Sequence, residues 1–378
     1  MRLLSLPITI LLFLSVAGKV IAISDPLAVP NNKIGLHILF PGEIHEAARI
    51  INREGEAAWG YVTIPIQASD RDRIKWQEFL NKCKEEEIIP LIRIATVPEG
   101  SHWAEPNNLD LIDFANFLND LKWPVQNRYI IIFNEVNRAD EYGGLVRPEN
   151  YADILSNAID IFKDRSEDFF ILPAGLDNAA SDRRSSVNWK DYLWRMYRHQ
   201  PDIFNKIDGW TSHAYPNPDF SVRPDLSGSN KIDSFKYDLQ LIKNFTTKEL
   251  PVFITEAGWS SKYLSEHQIA LYFQYAFSKV WSDPRIVAVT PFLLNAQDGP
   301  FEQFSFLNKD REKKEFAHTF SILAQIGSPN LPIELHPQIA NTENISTPST
   351  AILGSETNSF DTLQKLYNNL RSLFGLIP

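Results

Sequence analysis

The chain has 378 residues, a formal net charge of −10 and a composition that is 44% hydrophobic and 12% aromatic. An acidic chain of this kind is poorly suited to polyanions, which excludes nucleic acid and anionic lipid as expected partners but does not penalise neutral polymers. The near-average composition suits one large core or two modest ones, and the single cysteine, Cys83, excludes an intrachain disulfide.

Residues 1–22 read as an export signal. Arg2 supplies positive charge, Leu3 to Val16 is almost wholly apolar, and Val20-Ile21-Ala22 offers small or modest residues for cleavage. The apolar run is short for a span of about 20 residues. The mature chain is therefore expected to lack a membrane span and to be secreted or held at the cell surface, with an uncleaved N-terminal anchor as the alternative.

From Lys33 to Gly327, short apolar runs alternate with longer amphipathic stretches. Strands are predicted at Ile34–Phe40, Tyr61–Ile66, Pro90–Ala95, Tyr129–Asn134, Phe169–Ala174, Gly209–Ala214, Val252–Thr255 and Val287–Leu294. Helices are predicted at Ile74–Glu87, Asp110–Leu121, Glu149–Phe162, Ile232–Phe245 and Glu266–Trp281. In the fourth of these, Ile232, Phe235, Leu239 and Ile242 recur at three and four positions. The strand runs are continuous rather than alternating, as expected for parallel strands covered on both faces. Eight strands with intervening helices predict an α/β fold, a (β/α)8 TIM barrel over residues 33–327. An open doubly wound sheet fits less well, since no Gly-rich phosphate turn follows the first strand. Cys83 falls in a predicted helix, as a buried inert thiol.

Beyond the barrel, residues 328–378 read as a linker and a helix. Asn341 to Ser359 is rich in Asn, Ser and Thr. Phe360, Leu363, Leu366, Tyr367, Leu370, Leu373 and Phe374 then form an apolar stripe at helical spacing. Its expected place is against the barrel or a neighbouring chain. Lys365 and Arg371 are its only cations, too few to favour a membrane surface.

In such a barrel the working residues gather at the carboxyl ends of the strands. His37 lies there on the first strand, Arg93 on the third, Asn134 and Glu135 on the fourth, His213 and Tyr215 on the sixth, and Glu256 on the seventh. A carboxylate that ends a run such as Ile130-Ile131-Ile132-Phe133 is costly to bury unless it is paired or used. Two of them, Glu135 and Glu256, are the minimal equipment for cleaving a glycosidic bond.

The ordered set resembles the retaining glycoside hydrolases of the large barrel clan, whose catalytic glutamates lie on strands four and seven. His213-Ala-Tyr215 is similar to the His-x-Tyr of cellulase-like family 5, and Thr255-Glu-Ala-Gly-Trp259 is close to the nucleophile segment of that clan. The eighth strand reads Pro291-Phe-Leu-Leu-Asn295, without the tryptophan usual in family 5, and Arg93 lies on the third strand where family 5 uses an earlier one. The resemblance implies Glu256 as nucleophile and Glu135 as acid/base. The charge of Glu256 favours the protonated form of Glu135, giving the two groups unequal roles. Substrate-binding roles fall to His37, Arg93, Asn134, His213, Tyr215 and Trp259, with Trp103 and Trp210 as further stacking candidates. For Asn134 and Glu135 to reach one substrate, the strand end must twist or bulge.

The duller alternatives are a structural Glu135–Arg93 salt bridge, core roles for His37 and His213, and packing of Trp210 under a helix. His45-Glu46-Ala47-Ala48-Arg49 lacks the second histidine of a zinc-protease helix, and neither a Gly-x-Ser-x-Gly elbow nor a phosphate loop occurs. No metal or cofactor is expected. The expected partner is a polysaccharide or oligosaccharide, most readily a β-glucan. Mannan, xylan, exo-acting β-glycosidase activity and a non-hydrolytic carbohydrate-binding barrel are the alternatives.

Overall fold

A computed structural model describes residues 26, 31–52, 59–296 and 299–326. The expected export signal and the expected C-terminal linker and helix lie outside these residues. The apolar runs become eight parallel strands: β1 (Asn31–His37), β2 (Trp59–Gln67), β3 (Ile88–Ala95), β4 (Arg128–Ile132), β5 (Phe169–Pro173), β6 (Trp210–His213), β7 (Val252–Glu256) and β8 (Ile286–Val289). Their spatial order is β5-β4-β3-β2-β1-β8-β7-β6, a nearly closed barrel of the TIM type wrapped by helices.

The one seam falls between β5 and β6, and a side chain spans it. The backbone N–H of Asp208 donates to the Ile171 carbonyl (3.0 Å), and the Asp208 carboxylate accepts from the Ile171 N–H (2.7 Å). Thr211 Oγ1 donates to the Pro173 carbonyl (2.7 Å), and Lys163 neutralises Asp208 from 3.0 Å. Asp208 thus replaces the missing rungs of the ladder.

Strand parity sorts the core. Tyr61, Ile89, Leu91, Tyr129, Ile131, Phe170, Leu172 and Phe253 fill the barrel interior. Their neighbours Val62, Ile88, Ile92, Ile130, Ile132, Ile171 and Ile254 face the helices. A small residue is required where β1 presses on β2, because a Cβ on Gly35 would lie 2.5 Å from the Tyr61 carbonyl oxygen.

The α-helices among the described residues are α1 (Ile44–Ile51), α2 (Arg73–Glu85), α3 (Asn108–Asn119), α4 (Pro148–Arg165), α5 (Trp189–His199), α6 (Ile203–Lys206), α7 (Ser234–Ile242), α8 (Glu266–Tyr275) and α9 (Glu315–Ile326). Asp72 caps α2 by accepting from the N–H groups of Ile74 and Lys75, and Ser265 and Gln268 form a capping box at α8. Cys83 is fully buried on α2, and burial pushes its thiol up. The expected helix Glu266–Trp281 is α8 continued by a π-helical turn, Ala276–Val280. The eighth strand is shorter than predicted: its regular ladder ends at Val289, and Pro291 has no N–H to extend it, although the Pro291 carbonyl still accepts from the His37 N–H (2.9 Å). Among the described residues no helix is long and apolar enough to cross a membrane.

Candidate active site

Two local irregularities aim the glutamates. On β4 the inward positions Tyr129 and Ile131 would be followed by Phe133. Phe133 instead adopts φ +68°, packs outward beside Tyr142, and is followed by Glu135 at φ +32°. This break in alternation is the twist that Asn134 and Glu135 need. On β7, Ile254 pairs with Ser212 but Glu256 pairs with His213, leaving Thr255 as an extra residue. That bulge turns Glu256, which simple alternation would send outward, to the barrel mouth beside His213.

Glu256 is buried and heavily compensated. Arg93 Nη1 donates to its Oε1 (2.7 Å) and the Tyr215 hydroxyl donates to its Oε2 (3.1 Å). His213 Nδ1 lies 3.8 Å from Oε2. Burial alone would favour the protonated form, but the positive charges of His213 and Arg93 win and hold the carboxyl down at about 2. Burial and the adjacent Glu256 charge push the Tyr215 hydroxyl well up, so it stays a proton donor.

Glu135 takes the other side. Its Oε1 is 2.9 Å from His213 Nδ1, and its Oε2 accepts from Arg138 Nη1 at 3.1 Å. His213 Nδ1 therefore faces both carboxylates. Although burial opposes its charge, Glu256 and Glu135 raise its basicity above that of an ordinary histidine. Its position depends on Gly175 after β5, where a Cβ would sit 2.3 Å from His213 Cδ2. Asn134 Oδ1 accepts from the same Arg93 Nη1 (2.6 Å), so the arginine ties Asn134 to Glu256. Arg93 pairs with Glu256, whereas the arginine on Glu135 is Arg138.

One oxygen of Glu135, one oxygen of Glu256 and a His213 nitrogen all lie within 4.8 Å of one another, a grouping compact enough for a metal ion. Arg93 and Arg138 already place a cation on each carboxylate, however, so a divalent ion would enter against two like charges.

His37 and Trp259 sit elsewhere than the expected sugar contacts. His37 has 0% exposure, packs edge-on against Phe292 (5.0 Å between ring centres), and has its Nε2 4.0 Å from Glu256 Oε1. Burial, with the Arg93 charge, pushes it down to about 3, so it is neutral and forms the floor under Glu256. The inward parity of β1 takes it below the surface a sugar can touch. Trp259 is 1% exposed and packs against Phe273 (5.0 Å), Tyr272 (5.6 Å) and Trp281 (6.1 Å). Its Nε1 donates to the Val222 carbonyl (2.9 Å). Residues after the β7 bulge turn back under α8 and carry this ring into the core. Trp210 is likewise buried, donating to Asp238 on α7 (3.2 Å). Of the tryptophans named from the sequence, Trp103 remains half-buried, on a two-stranded hairpin (Pro98–Glu99 with His102–Trp103) after β3.

Four acidic or basic residues at the same mouth escape the sequence reading: Arg138, Asp140, Glu141 and Asp177. The first three follow Glu135 within one loop, and Arg138 is three residues on, the spacing of a local pair. Asp177 lies just past β5, one of the strand ends from which no residue was chosen. Burial, then the charge of Asp140, pushes the Glu141 carboxyl up.

No protein-family model and no curated protein matches the sequence. Solved structures do match: the fold is that of the clan A glycoside hydrolases, of which families 5, 30, 39, 51 and 128 are represented. A family 39 glycoside hydrolase from Bacteroides cellulosilyticus WH2 superposes with a TM-score of 0.56 at 13% identity, covering 79% of this chain and 64% of its own. The chain thus spans somewhat less than two thirds of that protein. A family 5 subfamily 18 protein from Bifidobacterium longum subsp. infantis gives 0.56 at 13% identity, covering 79% and 80%. A family 128 endo-β-1,3-glucanase from Pseudomonas viridiflava gives 0.50 at 12% identity, covering 77% of this chain and 97% of its own.

Proposed function

We propose that the chain is an exported retaining β-glycosidase that cleaves a neutral polysaccharide or oligosaccharide, with a β-glucan as the favoured substrate. The observation that carries this reading is the Glu135–Glu256 pair, with one oxygen of each no more than 4.8 Å apart at the barrel mouth. Retention requires carboxyl groups about 5–5.5 Å apart, whereas inversion leaves room for a water at about 6.5–9.5 Å. Export rests on the N-terminal sequence, and β-glucan is supported by the likeness to the β-1,3-glucanase, which the chain matches over nearly that protein's whole length.

Glu256, kept ionised, attacks the anomeric carbon while Glu135 passes its proton to the departing glycosidic oxygen. The bond to the leaving group breaks and a glycosyl ester forms on Glu256. Glu135, now ionised, takes a proton from water, whose oxygen attacks the same carbon and releases the carboxylate. Tyr215 and Arg93 orient Glu256 and receive its charge again as the ester is cleaved. Asn134, fixed by Arg93, presents its amide to the sugar.

The test is hydrolysis of a panel of aryl β-glycosides and β-glucans by the wild type, Glu135→Ala and Glu256→Ala. The expected result is turnover by the wild type and loss of about 10³-fold or more in Glu256→Ala. Azide should then restore turnover and give the glycosyl azide of inverted configuration. A wild type that binds glycans yet hydrolyses none would leave only a carbohydrate-binding role.

A further inference from the structure

Arg138 is nearly enclosed, with 12% of its side chain exposed, and faces three carboxylates. Asp140 grips one edge of the guanidinium through two contacts, Nη2 to Oδ2 at 2.7 Å and Nε to Oδ1 at 3.2 Å. This fork fixes the plane and leaves Nη1 free to point elsewhere. It lies 3.1 Å from Glu135 Oε2 and 3.7 Å from Asp177 Oδ2, so moving between them takes a fraction of an ångström. Asp177 is itself fixed. Its N–H donates to Asn137 Oδ1 (3.0 Å), its carbonyl accepts from Asn137 Nδ2 (3.0 Å), and its Oδ1 accepts from the Ala179 N–H (2.9 Å). Asn137 is fully buried, and its two bonds to Asp177 tie the β4 and β5 loops together.

We propose that Arg138 is shared between Glu135 and Asp177, and that this sharing lets Glu135 hold its proton before bond cleavage and carry a charge after it. Both are positioning residues, and the inference rests on the reading of Glu135 as the acid/base. An arginine committed to Glu135 alone would keep that carboxyl ionised and make it a poor acid. Asp177 gives the guanidinium a second partner while Glu135 is protonated. Once the proton has gone to the leaving group, Nη1 returns to the new Glu135 charge. Asp177 is suited to the exchange because burial and the nearby Glu135 push it up to about 6. The other charged or titratable groups around Glu135 are Asp140 and Glu141 on its own loop, His213 from β6, Tyr215 just past β6, Glu256 from β7 and Arg93 from β3.

The test is the pH profile of kcat/KM on an aryl β-glycoside with a poor leaving group, measured on the full chain. Asp177→Asn, nearly isosteric, removes the competing charge and is expected to move the alkaline limb down by about 1 pH unit. Arg138→Met is expected to move it up. The 2,4-dinitrophenyl glycoside, whose departure needs little proton donation, should show much smaller shifts in both variants. Opposite shifts separate this role from general loosening, which moves both variants the same way. If Arg138→Met does not fold, Asp177→Asn decides alone, and an unmoved or upward limb overturns the inference. Glu135→Ala separates the two levels. If it loses the poor substrate but keeps the activated one, the acid/base reading stands even when the Arg138 inference fails. Equal loss on both sinks the acid/base reading and the inference with it.

Discussion

Each glutamate at the mouth is defined by the cation beside it. Glu256 has Arg93 and Glu135 has Arg138, and Nδ1 of His213 faces both. His213 can occupy that place only because residue 175 has no side chain. Gly175→Ala would put a methyl 2.3 Å from Cδ2 and 2.4 Å from Nε2 of the imidazole, forcing the ring out of its present position against Glu135. A displacement of about 1 Å in catalytic machinery can cost on the order of 100-fold. The expected outcome is a fall of that size in kcat on poor leaving groups, with a smaller change in KM, read from steady-state kinetics. An unchanged kcat would remove His213 from the working set. The pair Glu135 and Glu256 and the nearby Arg93 were legible from sequence because each interrupts an apolar strand run near its end. Arg138 and Asp177 were not, since loop residues show no such contrast and only folding brings the β4 and β5 loops together.

Among the elements, the β5–β6 seam is the least regular. Parallel strands normally share a ladder, but here Asp208 supplies two of the hydrogen bonds from a loop and answers the charge of Lys163. Asp208→Ala would leave the buried Ile171 N–H without its acceptor and Lys163, 17% exposed, without its carboxylate. Each lost partner of this kind costs about 1–3 kcal/mol. Denaturant unfolding of Asp208→Ala should therefore show a loss of about 2–4 kcal/mol, with a smaller loss in Asp208→Asn, which keeps an oxygen facing Ile171. Strand existence and order in the chain were readable at every one of the eight positions. Strand ends were less so: β1 begins earlier and β8 stops sooner than the apolar runs suggest, because ladder pairing and Pro291 set the limits.

For the molecule as a whole, the division between mouth and core is decided by where aromatic rings finish. Trp259 follows Glu256 by three residues, yet its ring meets Tyr272, Phe273 and Trp281 under the helices. Trp259→Ala should destabilise the fold by about 3–5 kcal/mol, measured by denaturant unfolding, while the KM of the remaining folded protein stays close to wild type. A large rise in KM without loss of stability would instead return this residue to the sugar.

The sequence by itself determined the parallel eight-stranded barrel and the edge on which the charged residues collect. Continuous apolar runs, helical periodicity and chain order are local quantities that survive without a structure. It could not determine inward from outward. A run buried on both faces carries no alternation, so parity at a strand end depends on register with the neighbouring strand. The left-handed turn at Phe133 and the extra residue Thr255 on β7 fix that parity. They place Glu135 and Glu256 within reach of each other, set His37 beneath them, and give each carboxylate its own arginine. Those outcomes belong to the tertiary structure, because each depends on atoms brought together from strands far apart in the chain.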